Sequence, residues 1–270
     1  MDAWSAVREI SAQIAPAARE EARSQAALLV AHVLGVELSE LYLRGGELCE
    51  AQCAALSDLA HRRGAGEPLQ YILGEWELMG LPFHVDRRAL IPRQDTETVI
   101  EAALELIASR GYKTALDLCC GGGCIGVCLA ARSRIDVTMS DISEVCLELA
   151  HENAELNGVG ARCVRGDLFE AASGERFDII VCNPPYIRRA ELTALQRELT
   201  YEPALALDGG EDGLEFYRRI AARFDEHLNA GGALVLEMGY NQADEVAALF
   251  GGARIVRDMS GSARCAVVER

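Results

Sequence analysis

The sequence predicts an α/β fold, with a mostly parallel sheet and a small all-α domain before it. Three observations support this prediction. Apolar residues recur at helical spacing through residues 1–65, short apolar runs alternate with helical stretches after that, and a glycine-rich turn joins one run to the next helix. The 270 residues are enough for two domains. Half of them are hydrophobic and a quarter are charged, which excludes a disordered chain.

Residues 1–66 are predicted to form the helical domain. Trp4, Val7 and Ile10 recur at helical spacing, and further apolar runs surround Leu28 and Leu56. Glycines between these runs mark the helix ends. Residues 67–94 then change in character, because aromatic and β-branched residues flank a turn-forming segment. This pattern predicts a β-hairpin linker.

Residues 95–270 are predicted to form the α/β domain, with strands and helices in alternation. The predicted strands are Thr114–Cys119, Ile135–Ser140, Arg162–Val164, Phe177–Cys182, Ala233–Met238, Arg254–Arg257 and Arg264–Val268. The predicted helices run from the glycine-rich turn to Ala131, then over Ser143–Asn157, Leu214–Leu228 and Gln242–Phe250. The last two strands, separated by a short Ser-Gly-Ser turn, are expected to form an antiparallel hairpin.

The segment ALDLCCGGGCIG, residues 115–126, predicts a nucleoside-cofactor site. Glycines allow a tight turn and close approach of backbone N–H groups to a ligand, and the helix that follows adds a positive field. Asp141 ends the next predicted strand, where a carboxylate can accept hydrogen bonds from ribose hydroxyls. A P-loop is excluded because Gly-Lys-Ser/Thr is absent. A dinucleotide-binding dehydrogenase and a ligand-free turn both stay open from this motif alone.

The tetrapeptide Asn183-Pro184-Pro185-Tyr186 directly follows the predicted strand FDIIVC. Prolines cannot continue a central strand, so the chain must leave the sheet at its carboxyl edge, where ligands bind in open α/β sheets. The Asn183 side-chain oxygen and the Pro184 carbonyl can together accept both hydrogens of a planar –NH2 group, and Tyr186 can pack on its flat face. The tetrapeptide therefore favours transfer chemistry on an amino or amide nitrogen.

These motifs resemble those of class I S-adenosylmethionine-dependent methyltransferases, which have a Rossmann-like seven-stranded sheet. Four further segments resemble the release-factor glutamine methyltransferases (the PrmC/HemK family): GEWELMGLPFHV at 74–85, LIPRQDTE at 90–97, YEPALAL at 201–207 and RDMSGSAR at 257–264. The resemblance covers nearly the whole chain. It implies methylation of the side-chain amide nitrogen of the glutamine in the Gly-Gly-Gln motif of class I peptide-chain release factors, a step linked to translation termination.

The resemblance also implies site residues. The methionine part of the cofactor, S-adenosyl-L-methionine, would lie against the loop, with Asp141 on the ribose and Asp167 and Leu168 beside the adenine. Asn183 would also contact the cofactor. Asn183, Pro184, Pro185 and Tyr186 would bind the substrate glutamine, and Asn183, Pro184 and Tyr186 would act in transfer. The loop residues assigned to the cofactor are Cys119, Cys120, Gly121, Gly122 and Gly123.

Two positions depart from the family pattern. Cys119 stands where the family usually has the first glycine of the loop, and Gln94 stands where it commonly has proline. A side chain with a Cβ is disfavoured at positive φ. We therefore expect an ordinary backbone at Cys119, with the later glycines carrying the turn.

No general base is assigned from the sequence. Asp95 and Glu97 could lie near the Asn-Pro-Pro-Tyr segment, or they could begin a helix, with Asp95 as its N-cap. Glu237 could line the site or be a solvated strand end. The two acceptors facing the substrate nitrogen are instead expected to favour its developing charge and to aim it at the methyl group.

The remaining composition bears on rival functions. The net charge is −16, from 26 basic and 42 acidic residues, which argues against a DNA-binding surface. No C-x-x-C occurs among the ten cysteines and no ligand spacing among the five histidines, so we expect core cysteines and no metal site.

No signal peptide or membrane span is apparent, which predicts a cytoplasmic protein without membrane contact. Two rivals stay open: a nucleic-acid adenine amino-methyltransferase, and a non-catalytic module that binds the cofactor or a partner.

Overall fold

The computed structural model describes residues 1–270, and the chain divides into two compact units. The smaller unit comprises Met1–Gly74 together with Gln196–Tyr201. The larger unit comprises Glu75–Leu195 and Glu202–Arg270. The helical unit thus reaches Gly74 and takes in a short segment from the second half of the chain, which the linear boundary at residue 66 did not include.

The smaller unit is entirely helical. Its helices are α1 (Ala3–Ala18), α2 (Ala22–Leu34), α3 (Leu38–Arg44), α4 (Glu50–Gly64) and α5 (Leu69–Leu73). Asp2 caps α1 by accepting hydrogen bonds from the backbone N–H groups of Trp4 and Ser5, at 3.1 and 3.0 Å. Apolar side chains such as Ile14 and Leu29 are fully buried among these helices. Helix packing therefore accounts for the core of this unit.

A buried arginine ties the Gln196–Tyr201 segment to the helices. The Arg63 side chain is 1% exposed, and its Nε donates to the Gln25 side chain at 2.7 Å. Its guanidinium also pairs with the Glu198 carboxylate. Because a buried charge needs a partner, this ion pair fixes where the segment lies.

The predicted β-hairpin occupies only part of residues 67–94. Strands β1 (Glu75–Leu78) and β2 (Leu81–His84) pair antiparallel, with Glu75 opposite His84. The segment immediately before them, which the sequence prediction included in the hairpin, forms the short helix α5. That helix ends at Gly74, whose φ of +78° suits glycine and allows the chain to turn.

The larger unit is built on a seven-stranded sheet, as predicted. Its strands are β3 (Thr114–Leu118), β4 (Asp136–Asp141), β5 (Ala161–Arg165), β6 (Phe177–Cys182), β7 (Leu228–Glu237), β8 (Arg254–Arg257) and β9 (Ala263–Glu269). The strand order is β5-β4-β3-β6-β7-β9-β8. β3 to β7 are parallel, and β9 pairs antiparallel with both β7 and β8. The expected class I methyltransferase sheet is confirmed.

Five helices accompany the sheet, one before β3 and the others between its strands. They are α6 (Asp95–Arg110), α7 (Cys124–Arg132), α8 (Glu144–Leu156), α9 (Glu215–Ala221) and α10 (Ala243–Leu249). Two predictions need correction here. α9 ends at Ala221, and the chain then forms a 3₁₀ turn over Phe224–His227 before β7 begins at Leu228. Gln94 is the N-cap position of α6, so Asp95 is its first helical residue and makes no capping bond.

The helices also bear on membrane insertion. No single helix has the length and apolar character needed to cross a membrane. One pair of segments, Ala3–Leu34 with Leu38–Arg44, meets those criteria together, but it is bent by 91°.

Candidate functional site

The carboxyl ends of β3 and β6 meet at the point where the strand order reverses. β3 is followed along the chain by β4 on one side, whereas its neighbour on the other side is β6. Leu118 and Cys182 are register partners, so the glycine-rich loop and Asn183 leave the sheet side by side. Such a switch point is where open α/β sheets bind ligands.

A cleft of about 260 Å³ opens at this edge, within the larger unit. Most of the residues proposed from the sequence line it. They are Cys119, Cys120, Gly121, Gly122, Asp141, Asp167, Leu168, Asn183 and Pro185. Gly123, Pro184 and Tyr186 are not part of the lining. The structure thus brings the loop, Asp141 and Asn183 to one cavity, and Tyr186 follows the lining residue Pro185 without itself being part of the lining.

The backbone of the glycine-rich loop turns through three positive φ angles. They occur at Cys119 (+60°), Gly121 (+53°) and Gly123 (+79°). The expectation of an ordinary backbone at Cys119 was therefore wrong, because the turn out of β3 requires a left-handed residue at this position. A Cβ on Gly123 would also lie 2.9 Å from the Ala150 side chain, so close packing of α8 requires glycine there.

Two carboxylates, the half-buried Asp141 and the fully buried Asp117, bond backbone groups of the loop and of the helix that follows it. Asp141 accepts hydrogen bonds from the backbone N–H groups of Gly121 and Ser143, at 3.0 and 2.9 Å. Asp117, which the sequence reading missed, is fully buried in β3 and accepts from the backbone N–H of Gly126 at 2.8 Å. Burial raises the pKa of Asp117 to about 7 and also raises the pKa of Asp141.

Asn153 on α8 supports the loop from its other side. Its side-chain nitrogen donates to the carbonyl oxygens of Gly122, at 2.9 Å, and His84, at 3.2 Å. Its side-chain oxygen accepts from the backbone N–H of His84 at 2.7 Å. Asn153 is 1% exposed, so one buried amide connects the end of the hairpin to the glycine-rich loop. No local sequence signal identified it, because its partners are far away along the chain.

Residues 84–93, between the hairpin and α6, form one wall of the cleft. The Glu202 carboxylate holds this wall, because it accepts from the backbone N–H of Ile91 at 3.0 Å and pairs with Arg93. Glu202 is 6% exposed. The motifs LIPRQDTE and YEPALAL are thus directly bonded to each other, which explains their joint presence.

The opposite wall carries Asp167 and Leu168. Leu168 has a φ of +50° and is buried, although it still lines the cleft. Asp167 accepts from the Arg219 guanidinium at 2.7 Å, and that guanidinium lies 5.7 Å from the centre of the Phe216 ring. Phe216 and Arg219 line the same wall and were not foreseen from the sequence.

The Asn-Pro-Pro-Tyr segment leaves β6 with both prolines buried and Asn183 half-buried at the cleft. Tyr186 is bonded through both its backbone and its side chain. Its carbonyl oxygen accepts from the Gln242 side chain at 3.2 Å, and its hydroxyl donates to the Glu237 carboxylate at 3.4 Å. A Cβ on Gly209 would lie 2.7 Å from the Tyr186 Cα, so the backbones pack closely here.

Glu237 neither lines the site nor lies at a solvated strand end, the two interpretations that its sequence position allowed. It is 1% exposed and does not line the cleft. Its carboxylate accepts from Thr96 at 2.7 Å and from Tyr186. Burial raises the pKa of Glu237 to about 7.

The cysteines are all free thiols. Half of them are buried: Cys120, Cys128, Cys146, Cys182 and Cys265. Burial, together with a hydrogen bond to Cys119, raises the pKa of Cys182 well above its usual range. No group of three or more His, Cys, Asp or Glu side chains is placed to hold a metal ion.

Two family models match the chain. A PrmC N-terminal domain model matches residues 5–74, and a methyltransferase small domain model matches residues 97–213. The first match ends where the smaller structural unit changes to the hairpin. The second includes the glycine-rich loop, Asp141 and the Asn-Pro-Pro-Tyr segment.

Solved structures support the fold. The chain superposes on a methyltransferase from Pyrococcus furiosus with a TM-score of 0.52 and 20% identity, over 71% of this chain and 89% of that one. It superposes on an rRNA methyltransferase from T. thermophilus, solved with AdoMet and guanosine, with a TM-score of 0.53 and 22% identity, over 73% of this chain and 49% of that one. At these identities the likeness concerns the fold.

Curated relatives match at higher identity. A release factor glutamine methyltransferase from Geobacter sulfurreducens is 43% identical, over 86% of this chain and 82% of that protein. One from Bordetella pertussis is 40% identical, over 90% of this chain and 93% of that protein. The fold, the motifs and these relatives agree, and the chain belongs to the release factor glutamine methyltransferase family.

Proposed function

We propose that this protein methylates the side-chain amide nitrogen of the glutamine in the Gly-Gly-Gln motif of class I peptide-chain release factors, with S-adenosyl-L-methionine as the methyl donor. The observation that carries the proposal is the position of Asn183, which lines the cleft where β6 ends, directly beside the glycine-rich loop. Family membership supplies the identity of the substrate.

The residues of the cleft fit the proposed cofactor. Asp141 can still accept two ribose hydroxyls, because each carboxylate oxygen has a lone pair beyond those used by the backbone N–H groups. Leu168 and Phe216 supply apolar surface for an adenine ring, and Asp167 lies beside them. The loop of residues 119–123 presents backbone rather than bulky side chains. S-adenosyl-L-methionine, when bound, would supply an electrophilic methyl group and would leave as S-adenosyl-L-homocysteine, while the methylated amide nitrogen would release one proton to solvent.

The chain's own residues then act on the substrate amide. An amide nitrogen is a weak nucleophile because its lone pair is delocalised into the carbonyl. The Asn183 side-chain oxygen and the Pro184 carbonyl can accept both N–H hydrogens, which favours positive charge on that nitrogen as the new bond forms. The same two bonds fix the direction of the nitrogen, and the Tyr186 ring limits movement of the amide plane.

The proposed partner and location follow from the substrate. We further propose that the enzyme acts on class I release factors in the cytoplasm, without direct contact with DNA or a membrane. A net charge of −16 agrees with a protein substrate better than with duplex DNA, whose binding depends on neutralising phosphates with Lys and Arg.

The proposal is tested with methyl-labelled S-adenosyl-L-methionine and three acceptors: a class I release factor, the same factor with the Gly-Gly-Gln glutamine changed to alanine, and adenine-containing DNA. We expect label on the intact factor alone, with mass spectrometry locating one methyl group on that glutamine. Label on DNA would instead support the adenine methyltransferase, and equal label on both factors would contradict the glutamine assignment. Cofactor binding without transfer to any acceptor would favour a non-catalytic module.

A further inference from the structure

A buried carboxylate lies behind Tyr186, and the proposed transfer does not itself use it. Glu237 ends β7, is 1% exposed and does not line the cleft. Its two oxygens are divided between two hydroxyls, because Oε2 accepts from Thr96 at 2.7 Å and Oε1 accepts from Tyr186 at 3.4 Å. Burying a carboxylate costs free energy, so a buried Glu237 is expected to have a role that offsets this cost.

The contacts of Glu237 join motifs that are far apart in the sequence. Thr96 belongs to LIPRQDTE, and the residue before it, Asp95, pairs with Arg264 at 3.0 Å. Arg264 ends the motif RDMSGSAR, and its Nε also donates to Asp258 of that motif at 3.0 Å. Two motifs that the methyl-transfer geometry does not explain are therefore linked to Glu237, LIPRQDTE directly through Thr96 and RDMSGSAR indirectly through Asp95, and Glu237 contacts the tyrosine of the Asn-Pro-Pro-Tyr segment.

The direction of the Tyr186 hydroxyl shows what this network can do. The hydroxyl points to Glu237, and Tyr186 does not line the cleft. The hydroxyl is therefore an anchor rather than a group facing the cofactor. The Tyr186 carbonyl is held separately by Gln242, so loss of Glu237 would free the ring while the backbone stayed in place.

We propose that Glu237, supported by Thr96, is a positioning residue that fixes the Tyr186 ring beside the transfer site. The inference rests on the proposed function, in which Tyr186 packs against the substrate amide. It adds that the efficiency of transfer depends on a carboxylate that touches neither substrate nor cofactor.

The protonation state of Glu237 gives a readout that a merely structural role would not give. Both hydroxyls donate to it, which is the geometry of the ionised form, whereas a protonated carboxyl must use one oxygen as a donor. Burial is the largest cause that raises the pKa of Glu237, and the charge of Asp95 acts in the same direction. The hydrogen bonds from Thr96 and Tyr186 and the charge of Arg264 lower it, and the net pKa is about 7. The other titratable groups near it are Tyr186, Tyr217, Cys124 and Cys265. The anchor should therefore weaken as the pH falls below about 7.

The test compares the wild type with Glu237→Gln, Thr96→Val, Tyr186→Phe and the double variant Tyr186→Phe/Glu237→Gln. For Tyr186→Phe we expect kcat to fall about tenfold, while KM and the cofactor Kd change less than about threefold, because orientation is lost rather than binding. Glu237→Gln should keep kcat within about threefold of the wild type at pH 6, because an amide can bond both hydroxyls, but it should lose the rise in kcat through about pH 7. The double variant should fall no further than Tyr186→Phe alone.

Tyr112→Phe serves as the matched control. Its hydroxyl donates to the Gly231 carbonyl at 2.7 Å, away from the cleft, so stability should fall while kcat and its pH profile stay unchanged. Equal kcat losses in Tyr112→Phe and Tyr186→Phe would overturn the inference. So would an unchanged pH profile in Glu237→Gln, or fully additive losses in the double variant.

A second readout separates this inference from the proposed function. Four of these proteins, the wild type, Glu237→Gln, Tyr186→Phe and the double variant, form a double-mutant cycle in the free energy of unfolding. Non-additive unfolding with no transfer by the wild type would refute the proposed function but leave the contact established. Normal wild-type transfer with additive unfolding and additive kcat losses would refute the positioning role alone.

Discussion

The loop after β3 and the tetrapeptide after β6 lie side by side at one sheet edge, but different groups of the two segments are bonded to the surrounding protein. The loop is held mainly through its backbone, by Asp141, Asp117 and Asn153. The tetrapeptide is held through Tyr186, by Glu237 and Gln242. Each of the loop bonds is made to a backbone group, whereas Tyr186 is held both at its backbone carbonyl, by Gln242, and at its side-chain hydroxyl, by Glu237. Fixing a side chain suits a segment that is proposed to orient an amide and a ring.

This difference predicts that binding and transfer can be broken separately. Substitutions in the loop or its supports should act mainly on cofactor affinity. Substitutions in the tetrapeptide or its supports should act mainly on the rate of methyl transfer. The variants that follow test that separation, from the largest expected effect to the smallest.

Asn183→Ala should have the largest effect, because it removes one of the two acceptors proposed for the substrate nitrogen. We expect kcat to fall by about 10²–10³-fold, by analogy with the loss of one group that stabilises transition-state charge, while the cofactor Kd stays within about threefold. Transfer assays and calorimetry measure the two quantities. Asn229→Ala removes an asparagine that bonds Asp178 away from the cleft, and it should leave both unchanged. Cofactor binding lost in Asn183→Ala as fully as transfer would contradict the separation.

Asp141→Ala should act on the loop half. It removes the acceptor for the Gly121 and Ser143 N–H groups and the proposed acceptor for the ribose. Because hydrogen bonds to a charged group contribute about 1.5–3 kcal/mol, we expect the cofactor Kd to rise about 10–100-fold. Saturating cofactor should restore most of the rate. Asp136→Ala, at the exposed opposite end of β4, is the control. An unchanged cofactor Kd in Asp141→Ala would exclude the assigned role.

Asn153→Ala should loosen the loop indirectly. It leaves the Gly122 carbonyl and both backbone groups of His84 without their partner, so unfolding free energy should fall by about 1–3 kcal/mol. Cofactor affinity should fall less than in Asp141→Ala. Asn157→Ala removes a similar but exposed hydrogen bond, to the Pro82 carbonyl of the hairpin, and it should lower the free energy of unfolding less. Equal costs at the two positions would show that Asn153 has no special role.

Cys119→Gly should have the smallest effect and the opposite sign. The left-handed backbone at Cys119 costs about 1–2 kcal/mol, of which the extra flexibility of glycine in the unfolded chain offsets about 0.5–1. We therefore expect a net stabilisation of about 0.5–1 kcal/mol in denaturant unfolding. Cys120→Gly should instead destabilise, because Cys120 is buried and its φ is not positive. Destabilisation in both variants would show that packing of the Cys119 thiol outweighs its backbone strain.

The two halves also differ in what the sequence could predict. The glycine-rich turn, Asp141 and the strand before Asn183 are local patterns, and the sheet they predict is confirmed, because each strand is an apolar run with its own turn signals. The backbone angle at Cys119 was predicted wrongly, because it depends on the exit path from β3 rather than on residue preference.

Most supports of the cleft could not be predicted from local patterns. Asn153 contacts His84, Glu202 contacts Arg93 and Glu237 contacts Thr96, and each pair is separated by many residues. The motifs that hold these residues were recognised by resemblance, without a reason for their presence. The contacts supply that reason, since each motif places one partner of a buried polar bond.

The most direct test measures the cofactor Kd and the single-turnover rate of methyl transfer in the same preparations of Asn183→Ala and Asp141→Ala. Asn183→Ala should keep its affinity and lose its rate. Asp141→Ala should lose affinity and recover its rate when the cofactor is saturating. If both variants instead lose affinity and rate to the same extent, the two halves of the cleft do not have the separate roles assigned to them.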